Sequence, residues 1–419
     1  MDNNPNKIAH KKISKVLTSF LDSMESIEES LPSIMGALKN ELDEKNKLLN
    51  EYIDTNATFV EEGADDGNKK FTIPIKNIKK FKGIVRSHKK SMRVYRIVPR
   101  NFLVSIVSEY DAFLGDLIKT ILIKKPEILN AAEKQLTFSE IVSFNSIDEI
   151  KEYILEKEVE SLLRKSHLEQ IKSLESKFNL TLRDGLMILP EFVELTERRN
   201  LFVHTQGVVS TQYIKLCGEY KCLGDYKIGD TLGIREPYMM RSIAVLSEFA
   251  IKLAHVLWNK TFPNEVAEIG NNLVNLSFDL LTQGKYDLVI ETLSLFTTDK
   301  FKHKDEQLKR ILLVNQAIAY KMINEKNKCE ILLQKYDWSV VSNLFKCAER
   351  ILLDDYDEGA IHLKKAIKSE EIDRDSILDW PLFINFRESQ QFQNIMEEFF
   401  EDDAEEVVTL NDTTSSESV

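Results

Sequence analysis

The sequence predicts an all-α protein on three observations. Of 419 residues only 14 are Gly and 9 are Pro, too few to punctuate a chain of short strands and tight turns. Apolar residues recur at alternating three- and four-residue steps over long stretches, the period of helices with one buried face. Hydrophobic residues make up 43% and charged residues 30%, a globular balance in a chain long enough for two or three domains.

The elements follow in order. Residues 1–62 read as amphipathic helices: Ile13, Val16, Leu17, Phe20, Leu21 and Met24 mark the apolar face, and Pro32 is expected to interrupt it. "EEGADDGNKK" (61–70) reads as a loop, and 63–94 as a basic connector whose Phe, Ile and Val form short strands or extended segments. A helical domain spans 95–262. It opens after Pro99 with the seam Leu103, Val107, Tyr110, Leu114, Leu117 and Ile121, and continues with helices near 147–177, 188–205 and 236–260. Between the last two, 218–234 reads as a small hairpin or irregular loop. Over 263–400 short helices pair across turns near Gly284, Asn327 and Tyr356, a pattern that resembles a degenerate tetratricopeptide array. Residues 379–400 close that array, and the acidic tail, 401–419, is expected to be disordered.

Charge narrows the function classes. A net charge of −12 excludes a chain coated in positive charge for nucleic acid. The distribution is uneven, with twelve Lys or Arg and no acidic residue from Lys69 to Arg100. Lys79, Lys80, Lys82, Arg86, Lys89 and Lys90 are therefore candidate phosphate contacts, with His88 as a helper and Phe71, Phe81 and Tyr95 available for stacking. A solvated charged face, or one that docks the acidic tail, is an equal alternative.

Cys217, Cys222, Cys329 and Cys347 lack zinc-site spacing. They suit a reducing cytoplasm, and the amino terminus lacks the apolar core of a signal peptide. No run of about 18 apolar residues predicts a membrane span, so no membrane partner is expected. The chain carries no phosphate-binding glycine loop with its lysine, no hydrolase nucleophile elbow and no carboxylate pair that compels metal chemistry. No metal and no cofactor are expected. His167, His255, His303 and His362 stand singly and read as structural or exposed.

One stretch carries chemistry: "RRNLFVHTQGV", Arg198 to Val208. On a helix starting near Pro190, Arg199 falls within the apolar stripe of Phe192, Leu195 and Phe202. An arginine is costly to bury unpaired, so it must meet a carboxylate or face a cleft. His204 follows where Gly207 predicts the helix end, and an imidazole there titrates near neutrality. These residue types suit RNA cleavage by the 2′-hydroxyl. Histidine moves protons, and arginine neutralises the crowded phosphorane.

"RNLFVH" resembles the Arg-(four to six residues)-His motif of the HEPN superfamily, with polar Asn200 directly after the arginine. "VSEYDAFLGDLIKTI" (107–121) resembles a first HEPN helix, and "HTQGVVSTQYI" the exit that follows the motif. The likeness covers roughly residues 95–260. It implies a helical bundle that forms a homodimer and acts as a metal-independent endoribonuclease in prokaryotic antiviral defence or as a toxin. It implies His204 as acid or base, Arg199 as phosphate stabiliser and Asn200 as positioning donor, with Glu109 or Asp111 pairing Arg199. Arg198 to His204 also satisfies the spacing, and only the asparagine favours Arg199. The alternative is a non-catalytic interaction protein that dimerises and binds a partner or nucleotide. The expected partners are RNA, a second copy of the chain, and a protein on the carboxy-terminal array.

Overall fold

A computed structural model describes residues 12–59, 71–131, 136–298 and 301–400. Its described residues are helical apart from turns and one two-residue strand pair, so the all-α expectation holds. They fall into two compact units divided after Pro263. The amino-terminal helices and the basic segment belong to the same unit as 95–262, rather than forming a separate domain and connector. The loop expected at 61–70 and the acidic tail lie outside the described residues.

Two long helices frame the first unit, α1 (Ile13–Asn56) and α2 (Ile78–Lys124). They are joined through an antiparallel pairing of Thr58 with Thr72 and Phe59 with Phe71. They run antiparallel, since Phe20 meets Phe113 at one end and Tyr52 meets Phe81 at the other.

Three expectations are corrected here. Pro32 does not interrupt α1, because it is exposed while Leu31 and Met35 on either side are buried. The carbonyl it leaves unpaired lies on the solvent side, and flanking burial outweighs a loss of about 3 kcal/mol. Pro99 lies inside α2 rather than before it. The basic segment is helix from Ile78 onward, not strand or connector. Its Phe81, His88 and Ser91 face α1, where His88 bonds Asn46 (2.6 Å) and Ser91 bonds Glu41 (3.0 Å), while Ile78, Val94 and Ile97 are exposed.

Burial along this hairpin is uneven. The amino-terminal half of α1 (Ile13 to Met35) and α2 from Pro99 onward are studded with buried residues. Between them, Tyr52 and Ser91 are the buried residues of the far end. Around the buried end pack α4 (Ile147–Leu163), α5 (His167–Phe178), α6 (Leu189–Thr205) and α8 (Glu236–Thr261), while α7 (Thr211–Glu219) packs on α6. A short α3 (Phe138–Val142) precedes them. Residues 220–235 form an irregular loop pinned by the bridge Val208–Thr231.

The second unit contains three helical hairpins: α9–α10 (Val266–Thr282, Tyr286–Phe296), α11–α12 (Glu306–Met322, Lys326–Leu333) and α13–α14 (Asn343–Leu352, Tyr356–Lys368). One backbone device makes all three turns. Gly284, Asn324 and Asp354 take positive φ, of 71°, 62° and 63°. Each donates its amide to the carbonyl three residues back, and the next residue donates to the carbonyl five back, closing the first helix. The second and third turns thus fall earlier than Asn327 and Tyr356. The closing segment is not one helix. It divides into α15 (Arg374–Asp379), two single 3-10 turns and α16 (Gln390–Phe400). Among the described residues, no helix is long and apolar enough to cross a membrane.

Tyr110, 1% exposed, is the most connected aromatic of the first unit. Tyr110→Ala should lower stability in urea by about 3–5 kcal/mol, as for other buried aromatics. Met187→Ala, at a site 86% exposed, should change it by less than about 0.5 kcal/mol.

Candidate functional site

Helix α6 carries three faces with different roles. Phe192 and Leu195 face the core. Glu194 and Arg198 form a second face. Glu197, Asn200 and His204 stand at the i, i+3, i+7 spacing that aligns side chains along one helix side. The helix ends at Thr205 because Gln206 and Gly207 both take positive φ, 56° and 89°. Glycine is required at the second position, where a Cβ would lie 2.8 Å from the Phe202 ring and 3.1 Å from the Leu232 carbonyl oxygen.

The third face, with Arg199 at its flank, lines a polar cleft of about 500 Å³. The opposite wall is Asp111 of α2 and the α4–α5 turn with the start of α5, Arg164 to His167 and Gln170. Gln212 at the start of α7 closes one end. Asp111 is the hinge of the arrangement. Its Oδ1 lies 3.1 Å from His167 Nε2, and its Oδ2 lies 3.9 Å from Arg199 Nη2. Arg199 is thus only loosely tied. Its Nη1 donates to Asn200 Oδ1 at 3.4 Å, and its Nε is buried with no hydrogen-bond partner among the described residues.

Glu197 binds the polar face together. Its carboxylate accepts from Asn200 Nδ2 (3.3 Å) and Gln212 Nε2 (3.2 Å). Burial pushes its carboxyl above the usual carboxylate range, against the lowering effect of those two bonds and of the nearby His167. Gln170 is 2% exposed. Its Nε2 donates to the carbonyls of Leu163 and Lys165, which leaves its Oε1 as a buried acceptor without a partner.

The two arginines of the motif have separate environments. Arg199 enters the cleft. Arg198, 7% exposed, turns to the other side of α6, where its Nε donates to Glu194 Oε1 (2.7 Å) and its Nη1 to the Gly233 carbonyl (3.2 Å). Its guanidinium lies 4.1 Å above the Tyr238 ring, and Glu194 also accepts from the hydroxyls of Tyr213 (2.6 Å) and Tyr238 (2.7 Å). With Glu194, Tyr213 and Tyr238, Arg198 lines a second pocket of about 450 Å³ on that side of α6, and it does not line the Arg199 cleft. Glu109 is exposed on α2 and does not line the cleft. His204 is exposed and lines it.

Other candidates scatter. Lys79, Lys80, Lys82, Arg86, Lys89 and Lys90 are exposed on α2. Phe81 stacks on Tyr52, and Phe71 packs edge-on against Phe81, rather than standing free to stack on bases. His255, His303 and His362 bond to Ile251, Phe296 and Asn343. The four cysteines are unpaired, and burial raises the Cys217, Cys329 and Cys347 thiols, Cys329 to about 11.

Sequence reasoning missed His167, Glu197, Gln170 and Gln212. His167 was read as structural or exposed, yet it lines the cleft and touches Asp111. The sequence held two local signals, neither of which places α5 beside α6. Ser166 and Glu169 form a capping box that starts α5 at His167, and Glu197 shares the spacing of Asn200 and His204.

No family model, curated protein or solved structure matches the chain.

Two outcomes test this geometry. Arg198→Ala leaves Glu194 buried without its cation and should cost about 3–5 kcal/mol in urea unfolding, whereas Arg199→Ala should cost far less. For Glu197, the folded-state pKa is the higher one, so the folded chain binds the extra proton and stability falls as pH rises through it. Glu197→Gln should remove that component, flattening the decline in unfolding free energy above the usual carboxylate range.

Proposed function

We propose that the α6 cleft cleaves RNA by attack of the molecule's own 2′-hydroxyl, as the resemblance to HEPN ribonucleases implies. The attack joins O2′ to phosphorus and breaks the bond to O5′, leaving a 2′,3′-cyclic phosphate and a free 5′-hydroxyl. A base removes the 2′-hydroxyl proton, and an acid protonates the leaving oxygen. In this reading His204 makes one of these transfers, Arg199 neutralises the phosphorane, and Asn200 orients the phosphate. Such a reaction requires no metal in principle.

The observation that carries the reading is the state of Arg199. A permanently charged group stands in a polar cleft with spare donors, its carboxylate neighbour at 3.9 Å and its Nε unpaired, beside an exposed imidazole on the same helix. Phosphate oxygens supply the missing acceptors with matched geometry. Arg164 and Lys165 add charge to the rim. The carboxylates oppose an anion; Asp111 is shared with His167, and burial raises the Glu197 carboxyl above the usual range.

Three further parts of the proposal rest on the resemblance alone. These are a homodimer that sets two clefts face to face, a second His204 as the other proton carrier, and a prokaryotic defence or toxin role. Capture of a protein partner by the carboxy-terminal hairpins is likewise proposed.

The test is cleavage of labelled RNA by the purified chain in excess chelator. Cyclic-phosphate ends should form, and His204→Ala and Arg199→Ala should each slow the reaction by about 10²–10³-fold or more. Cleavage indifferent to both substitutions overturns the reading. A folded parent that binds RNA without cutting it also overturns it, in favour of a non-catalytic interaction protein.

A further inference from the structure

Helix α2 carries a stripe that its composition alone does not reveal. Lys79, Lys82, Arg86, Lys89, Arg93, Arg96 and Arg100 follow one another at strict three- and four-residue steps. At 3.6 residues per turn they fall within an arc of about 100° and run for about 32 Å. The first six are exposed, and none forms an ion pair among the described residues. The face that meets α1 holds Phe81, His88 and Ser91, and lies on roughly the opposite side of the helix. The stripe is thus turned away from Glu41 of α1, which pairs with that face.

Its last member fixes where it leads. Arg100 donates from Nη1 to the Gln206 carbonyl (2.8 Å) and from Nη2 to the Leu232 carbonyl (3.4 Å), with its guanidinium 5.4 Å above the Phe202 ring. Gln206 is the residue that ends α6, two positions after His204. The same line continues along α2. Asp111 lies 18 residues beyond Arg93, about five full turns, and so points in the same direction. The cleft wall and the basic stripe therefore lie on one side of one helix, about 16 Å apart from Arg100 to Asp111.

We propose that the stripe on α2 is a track for a single-stranded RNA backbone that delivers the strand to the α6 cleft. A straight row of evenly spaced cations can follow an extended strand along its whole length. A duplex backbone instead winds away from such a row within part of its turn of about 34–36 Å. The direction toward the cleft rests on the ribonuclease reading, whereas the track itself does not.

The experiment measures binding of a labelled 16-nucleotide single strand to the full-length His204→Ala protein across a salt series. Six phosphate contacts predict a slope of log K against log salt of about −4, and about three-hundredfold weaker binding at 200 mM than at 50 mM. In the same background, Lys82→Gln, Lys89→Gln, Arg93→Gln and Arg96→Gln together should lower the slope to about −1 and weaken binding at 50 mM by at least tenfold. These side chains are exposed, so circular dichroism should be unchanged. The strand should bind more tightly than a 16-base-pair duplex, heparin, a poly-glutamate peptide or phosphatidylserine vesicles. A slope unaffected by the four substitutions overturns the track, as does equal or tighter binding of any competitor. The track survives, and only the ribonuclease reading fails, if the substitutions abolish binding while the parent never cuts.

Discussion

The buried ring of Tyr110 holds the first unit together. It lies in α2 and meets Phe20 of α1 (6.5 Å), His167 of α5 (6.2 Å), Phe192 of α6 (5.4 Å) and Phe249 of α8 (5.9 Å). Phe192 and Phe249 stack on each other at 4.1 Å. One side chain thus sets the mutual position of five helices, in a core packed too densely to slide. Everything at the cleft inherits that registration. Asp111 is the next residue of α2, and it reaches His167 and Arg199 because the Tyr110 ring has already brought α5 and α6 to that point.

Helix α6 then separates structure from chemistry by rotation. One step along the chain turns a side chain about 100°, which is why adjacent arginines do different work. Arg198 is enclosed by two tyrosine rings and a carboxylate that itself accepts three hydrogen bonds. Arg199 lies in a stripe otherwise apolar and opens onto a cleft with donors to spare. The same sequence pair thereby supplies a close ion pair on one side of the helix and a loosely held cation facing the cleft on the other. The helix end is equally constrained, because Gly207 admits the Phe202 ring and the Leu232 carbonyl, and Arg100 binds the carbonyls on either side.

The sequence made the helices legible where burial followed the 3.6-residue period. The seam from Leu103 to Ile121 and the apolar face from Ile13 to Met24 appear in the structure as buried residues. It misled where one local signal was weighed without its surroundings. Pro32 and Pro99 looked like breaks, yet both lie inside long helices whose other contacts outweigh one missing hydrogen bond. The Lys-rich segment looked like a connector because its cations hid a helical face of Phe81, His88 and Ser91. At the site, the arginine in an apolar stripe signalled a carboxylate or a cleft, and Asp111 was one of two carboxylates named for it. The other wall was not legible. His167 and Gln170 stand some thirty residues before Arg199, and only the packing of α5 on α6 brings them alongside. The registers of Asn327 and Tyr356 were misplaced for a simpler reason, since Asn and Asp make the left-handed turn residue as Gly does.

The central claim is that a phosphate of an RNA strand sits between Arg199 and His204. A crystal structure of the full chain with a 16-nucleotide RNA methylated at every 2′-oxygen tests it most directly, because the blocked nucleophile keeps the strand whole. The account predicts a phosphate within hydrogen-bond reach of the Arg199 guanidinium and the His204 imidazole. An ordered strand bound elsewhere, with the cleft free of phosphate and Arg199 still beside Asp111, would contradict it.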